Sequence, residues 1–109
     1  LELQTVAAIA DSFPVAEGHA LVVPKRHVES FFELTTDEVG DAWNLLNLLR
    51  DRMMSEDPDI RGFNVGVNVG AAAGQTIPHA HIHLIPRRHG DASDPRGGVR
   101  GVIPHRKAY

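Results

Sequence analysis

The stretch PHAHIHLIP, residues 78–86, places an imidazole at every second position: His79, His81 and His83, with Ala80, Ile82 and Leu84 between them. Three of the seven histidines in a 109-residue chain fall here. An extended chain has a side-chain period of two, so a strand at 77–85 would turn all three rings to one face. Three roles compete for such a row. The first is ordinary half-buried or surface histidine, the usual reading of a single ring but a weak one for three in alternation. The second is metal ligation, since imidazole is a common zinc ligand. Residues i and i+4 of a strand lie about 13 Å apart at Cα, however, so three alternate rings converge on one ion only with strain. No carboxylate occurs between residues 60 and 90 to complete such a site. The third role is nucleophilic catalysis on phosphorus, and it is favoured. A neutral imidazole is a good nucleophile near pH 7, and neighbouring rings can bind phosphate oxygens or move protons. Phosphoryl transfer needs little beyond such positioning and charge stabilisation.

The elements that must position this row follow from pattern. TVAAIAD (5–11) and HALVV (19–23) read as strands, the second ended by Pro24, and HVESFFEL (27–34) as a short helix or helical turn. Thr35 and Glu38 have capping-box spacing ahead of Val39, Ala42, Trp43, Leu46, Leu49 and Met53 at helical intervals, which predicts a helix over roughly 36–55. FNVGVNVG (63–70) alternates without a break, with Asn64, Gly66, Asn68 and Gly70 on one face. Glycines on a strand face mean that a backbone, a ligand or a crowding helix lies close. AAAGQT (71–76) turns the chain into the histidine strand. The tail, 86–109, is rich in Arg, Gly and Pro, with a short strand expected at VRGVI (99–103). The order predicts one α+β domain over 1–109, an antiparallel five-stranded sheet with one long and one short helix.

Composition narrows the class. The chain is 42% hydrophobic and 23% charged, with a net charge of −3 and no cysteine. Disulfides and cysteine-based zinc or redox sites within these residues are excluded. Neither a signal-peptide pattern nor an apolar run near the ~20 residues of a membrane helix occurs, so a cytoplasmic protein without membrane partners is expected. The first residue is Leu, from which a late or trimmed start is expected. Charge is uneven: residues 1–60 hold twelve acidic and four basic side chains, and residues 61–109 hold two and seven. A basic half that also carries the histidines suits a local anionic ligand. The acidic total argues against nucleic acid.

GQTIPHAHIHLIPR closely resembles the signature of the histidine-triad (HIT) family, His-φ-His-φ-His-φ-φ with φ apolar. DSFPVAEGHALVVPKRHV resembles its first-strand region, and the match runs over roughly 5–103. The resemblance implies a nucleotide hydrolase or transferase acting at the α-phosphate of adenosine nucleotides. By residue-wise carry-over, His81 is the nucleophile and forms a nucleotidyl-histidine. His83 binds the α-phosphate and serves the leaving group, while His79 and His19 form a relay that sets the tautomer of His81. Gly74, Gln75, Thr76 and Ile77 match the phosphate loop, with backbone N–H groups and the Gln and Thr side chains as donors. Asn68 fits a phosphate-contacting position, with a plain polar strand residue as its alternative. Asp11 falls where the family bonds the ribose, with a simple turn as its alternative, and Ile9 would line the base pocket. His27, His89 and His105 match no role and are expected in solvent. Some relatives carry an N-terminal Cys pair for zinc, whereas this chain has none.

Within the family, PRRHGD and Thr76 lean toward the dinucleoside polyphosphate hydrolases of the fragile-histidine-triad type. An adenosine phosphoramidase, or a slow nucleotide-binding signalling module, is the alternative. No metal or obligatory cofactor is expected, with Mg²⁺ entering only as the companion of a polyphosphate substrate. A homodimer is expected from the resemblance. Independently, a helix carrying Trp43, Leu45, Leu46, Leu48, Leu49, Met53 and Met54 is apolar over more of its circumference than one sheet face covers.

Overall fold

A computed structural model describes residues 1–109. Four strands form one antiparallel sheet: β1 (Val6–Ala10), β2 (Ala20–Pro24), β3 (Ile60–Gly66) and β4 (Ile82–Arg88), in spatial order β1-β2-β4-β3. The single long helix, α1 (Thr36–Glu56), lies across one face. Its start is as the sequence predicts: the Thr35 hydroxyl accepts from Glu38 N and the Glu38 carboxylate accepts from Thr35 N, closing both halves of a capping box. The expected short helix at 27–34 is a single 3-10 turn at Phe31–Glu33, capped in the same way by Ser30.

Register divides the sheet into two faces. Val6, Val22, Ile82 and Leu84 turn inward and pack against Ala42, Leu45 and Leu49 of α1. The opposite face carries one row through all four strands, Ile9–Leu21–His83–Gly66, each pair in direct register. Helix and chemistry therefore occupy opposite sides of the same strands.

Three sequence expectations need correction. The sheet has four strands, because the tail at VRGVI coils into 3-10 turns (Gly98–Val102). Gly97 and Gly98 enter it at φ +91° and +45°, conformations that suit glycine and break a strand. The third strand is Ile60–Gly66 rather than 63–70: it begins earlier through pairing with Arg88 across a bulge and ends where the chain turns off toward Gly70. The histidine strand is Ile82–Arg88 rather than 77–85. Pro78 has no N–H to give a ladder, and the Ala80 N–H goes instead to Val28 O at 2.7 Å. The tail therefore starts after Arg88. Pro86 is tolerated inside β4 because β2 pairs only Ile82–Leu84, so beyond that point β4 is itself an edge.

Leu45 is fully buried at the centre of the helix–sheet contact. Leu45→Ala is expected to cost about 2–5 kcal/mol of unfolding free energy, read by urea denaturation with an unchanged slope. A loss below about 1 kcal/mol would mean that this contact is not the core.

Candidate active site

Three imidazoles meet at the head of β4. His83 lies on the strand, His81 just before it, and their ring centroids are 5.2 Å apart. His19, one residue ahead of β2 and 4% exposed, reaches His83 from the neighbouring strand, Nε2 to Nδ1 at 2.9 Å. Asp11, one residue past β1, brings Oδ2 to 3.4 Å from His19 Nε2 and 4.0 Å from His83 Nδ1. Its Oδ1 accepts from Phe13 N at 2.8 Å, so the turn and the contact with the histidines coexist.

The main-chain partners assign the protons. The Val15 N–H donates to His19 Nδ1 at 3.2 Å, so that nitrogen carries a lone pair and the His19 proton sits on Nε2. His19 Nε2–H then donates to His83 Nδ1, which leaves the His83 proton on Nε2. His81 Nδ1 lies 2.9 Å from the carbonyl oxygen of His79, which can only accept, so His81 is protonated at Nδ1 and its Nε2 is bare. His79 Nε2 donates to Pro24 O at 2.8 Å, and its Nδ1 faces His27 Nδ1 at 3.2 Å. The relay expected from His79 and His19 is thus corrected in its wiring. The tautomer of His81 is set by the backbone of residue 79, while His19 partners His83.

Asp11, His19 and His83 offer ligand atoms within 4.8 Å of one another. The tautomers oppose a metal there. A ligating His19 Nε2 would have to lose its proton, which would move to Nδ1 and confront the Val15 N–H, donor against donor.

The loop before the triad is built on glycine. Gly70 and Gly74 take φ +87° and +88° around the 3-10 turn Ala71–Ala73. Gln75 holds this loop closed: its Oε1 accepts from Gly70 N, and its Nε2 donates to Glu29 O and Ile77 O. The expectation that the Gln75 side chain donates to phosphate is therefore corrected, since its amide is spent on the loop itself. Thr76 and Ile77 are exposed, and the Asn68 side chain lies beside Gly74. A Cβ at Gly66 would meet nothing within 4 Å. The open floor beside His83 is therefore not explained by crowding. Ile9, half exposed, stands two strands from His83 in the same row, about 9.5 Å at Cα. The contact of His27 with His79 escaped the sequence reading, whose only cue was a histidine soon after a strand end in PKRHV. His27, His89 and His105 are all exposed, as expected.

A four-stranded antiparallel sheet with one covering helix and a histidine cluster on the open face defines a class, and the comparisons name it. The HIT domain family matches residues 1–90, and the chain belongs to that family. It is 40% identical over 81 residues to the nitrilase and fragile histidine triad fusion protein NitFhit of Caenorhabditis elegans, covering 74% of this chain and 18% of that protein. It is 34% identical over 88 residues to the bis(5'-nucleosyl)-tetraphosphatase [asymmetrical] of Schizosaccharomyces pombe, covering 81% of this chain and 48% of that protein. The chain thus spans half or less of the length of these two relatives. The crystal structure of a HIT family protein from Bacillus anthracis superposes with a TM-score of 0.77 at 35% identity, covering 84% of this chain and 64% of that one.

Burial lowers the pKa of His83 below the usual imidazole value of 6.5; the charges of His81 and His19 act in the same direction and Asp11 opposes them. Between that lowered value and 6.5 the unfolded chain binds more protons than the folded one. Stability therefore rises with pH through this window and falls on acidification. Chemical-shift titration of the His83 ring should give a midpoint below 6.5. Asp11→Asn, which removes the charge favouring the imidazolium, should lower it further. A midpoint above 6.5 would contradict the burial argument.

Proposed function

We propose that the protein cleaves adenosine nucleotides at the α-phosphate by double displacement through His81, with dinucleoside polyphosphates as the favoured substrates. The observation that carries this is the 2.9 Å approach of His81 Nδ1 to the His79 carbonyl oxygen, an acceptor only, which commits the Nδ1–H and leaves the Nε2 lone pair for attack. The first displacement forms the Nε2–P bond and breaks the P–O bond to the leaving group, which departs with the electron pair. Water then attacks phosphorus and loses one proton to solvent, the N–P bond breaks with its electron pair returning to His81 Nε2, and nucleoside monophosphate and the starting imidazole are recovered. His83 holds a phosphate oxygen with its Nε2–H and serves the leaving group. The backbone N–H groups of Thr76 and Ile77, with the Thr76 hydroxyl and Asn68, cradle the remaining oxygens, while those of Gly74 and Gln75 close the loop on Ala71 O and Gly70 O. Asp11 uses its remaining lone pairs for the ribose hydroxyls, and Ile9 lines the base pocket. No step requires a resident metal, and Mg²⁺ accompanies only the polyphosphate chain. The choice of leaving group leans on the relative named as a bis(5'-nucleosyl)-tetraphosphatase. A panel of diadenosine polyphosphates, adenosine phosphoramidates and adenylated lysine ranks the leaving groups directly.

His81→Ala should abolish turnover while AMP binding, by calorimetry, stays within a few-fold, because only the nucleophile is lost. Substantial residual turnover would remove His81 from the chemistry.

A homodimer is part of the same reading. On α1, Trp43 is 67% exposed, with Met54 also in water on the same flank, and Trp43 borders a groove shared with Phe63 and Val65 of edge strand β3. A second copy, related by a two-fold axis, would cover this apolar strip and close the β3 edge. Light scattering at micromolar concentration should give a dimer mass, and Trp43→Glu a monomer. A monomeric unsubstituted protein would overturn the assembly.

A further inference from the structure

One irregular segment, Pro24–Glu29, makes four side-chain or main-chain bonds to the residues that build the histidine site. The Pro24 carbonyl accepts from His79 Nε2 at 2.8 Å, and His27 Nδ1 faces His79 Nδ1 at 3.2 Å. The Val28 carbonyl accepts from Ala80 N at 2.7 Å, and the Glu29 carbonyl from Gln75 Nε2 at 2.7 Å. After Pro24 the segment has no helix or ladder of its own, so whatever fixes it also fixes the ring of His79 and the phosphate loop. One anchor is the Lys25 N–H, which donates to Thr5 O at 2.8 Å. The stronger one is Arg26. Its Nε donates to Glu38 Oε2 at 3.1 Å, and its NH2 to both Glu38 Oε1 at 2.8 Å and Glu33 O at 3.0 Å.

Glu38 would need a single oxygen to cap α1. It is 4% exposed, and both of its oxygens are taken by the guanidinium fork, a geometry that a lone surface ion pair would not preserve. We propose that Arg26 and Glu38 are positioning residues of the histidine site, clamping the segment Pro24–Glu29 in the place where it orients His79 and closes the loop at Gln75. The inference rests on the proposed role of His81, since His79 matters to chemistry through the carbonyl that holds the nucleophile. The Arg26 fork, with the Thr35 N–H, holds the Glu38 carboxyl down to a pKa of about 2. The clamp is therefore fully charged wherever imidazoles titrate. His27 is the titratable group that faces His79 directly, and Glu33 and Glu38 are the acidic groups beside Arg26.

The test compares the unsubstituted protein with Arg26→Ala, which leaves the helix cap intact, and with Glu38→Gln, which keeps a capping oxygen but breaks the fork. Long-range ¹H–¹⁵N spectra of the imidazoles need no substrate. In the unsubstituted protein His79 should show a proton fixed on Nε2. In both variants that signature should average between the two nitrogens, while His19 and His83, which touch no part of the segment, keep theirs. With a diadenosine polyphosphate, kcat should fall roughly tenfold to a hundredfold, with KM changed by less than about threefold, and Arg26→Lys should recover part of the rate. If the His79 spectrum is unchanged in both variants the proposal is overturned, even where kcat falls, because the loss then reaches His81 by another route. If the spectra change as expected but the unsubstituted protein turns over no adenylyl substrate, the proposed function fails and the positioning role stands.

Discussion

The carbonyl oxygen of His79 accepts from His81 Nδ1 at 2.9 Å, and the surrounding architecture serves to keep that bond in place. An imidazole can attack only through a nitrogen that carries no proton, and a backbone acceptor admits only one tautomer. A main-chain carbonyl is a better tautomer lock than another histidine, because it cannot titrate. Fixing it requires residues 77–81 to stay outside the ladder, so that this carbonyl is not consumed by a neighbouring strand; the chain bends at 77–79, where the His79 N–H donates to Ile77 O at 2.8 Å. The segment Pro24–Glu29 meets that requirement by taking the Ala80 N–H and both sides of the His79 ring.

A second backbone group works in the opposite sense at His83. The Val15 N–H forces the His19 proton onto Nε2 and, through it, the His83 proton onto Nε2 as well. His81 and His83 are thus given opposite tautomers, one with a bare Nε2 and one with an Nε2–H. Burial disfavours the charged form of His83 and so favours a neutral Nε2–H donor beside His81. The same arrangement makes Asp11–His19–His83 a poor metal site despite its spacing, since a metal would demand the tautomer that Val15 forbids.

Much of this was legible before the structure. Thr35 and Glu38 announced the helix because a capping box is a local signal, satisfied within four residues. The alternation of His79, His81 and His83 correctly put His81 and His83 side by side. It also led to a strand drawn too early, because the pattern does not show the bend at 77–79, which turns the His79 ring to Pro24 O and His27. What stayed hidden is long-range. The second use of Glu38, toward Arg26, spans twelve residues, and that of His27, toward His79, spans 52. The family resemblance implies a phosphate-donating Gln75, while its bonds to Glu29 and Gly70 depend on how the loop folds back. VRGVI has the apolar alternation of a strand, but Gly97 and Gly98 at positive φ coil it before it can reach the sheet.

The tautomer of His81 is open to direct measurement. Protein labelled with ¹⁵N in its histidine rings, at neutral pH and without substrate, should show the His81 proton on Nδ1 and the shift of a bare, unprotonated nitrogen at Nε2. A His81 ring protonated on Nε2, or averaging freely between its two nitrogens, would contradict the claim that the His79 carbonyl prepares the nucleophile.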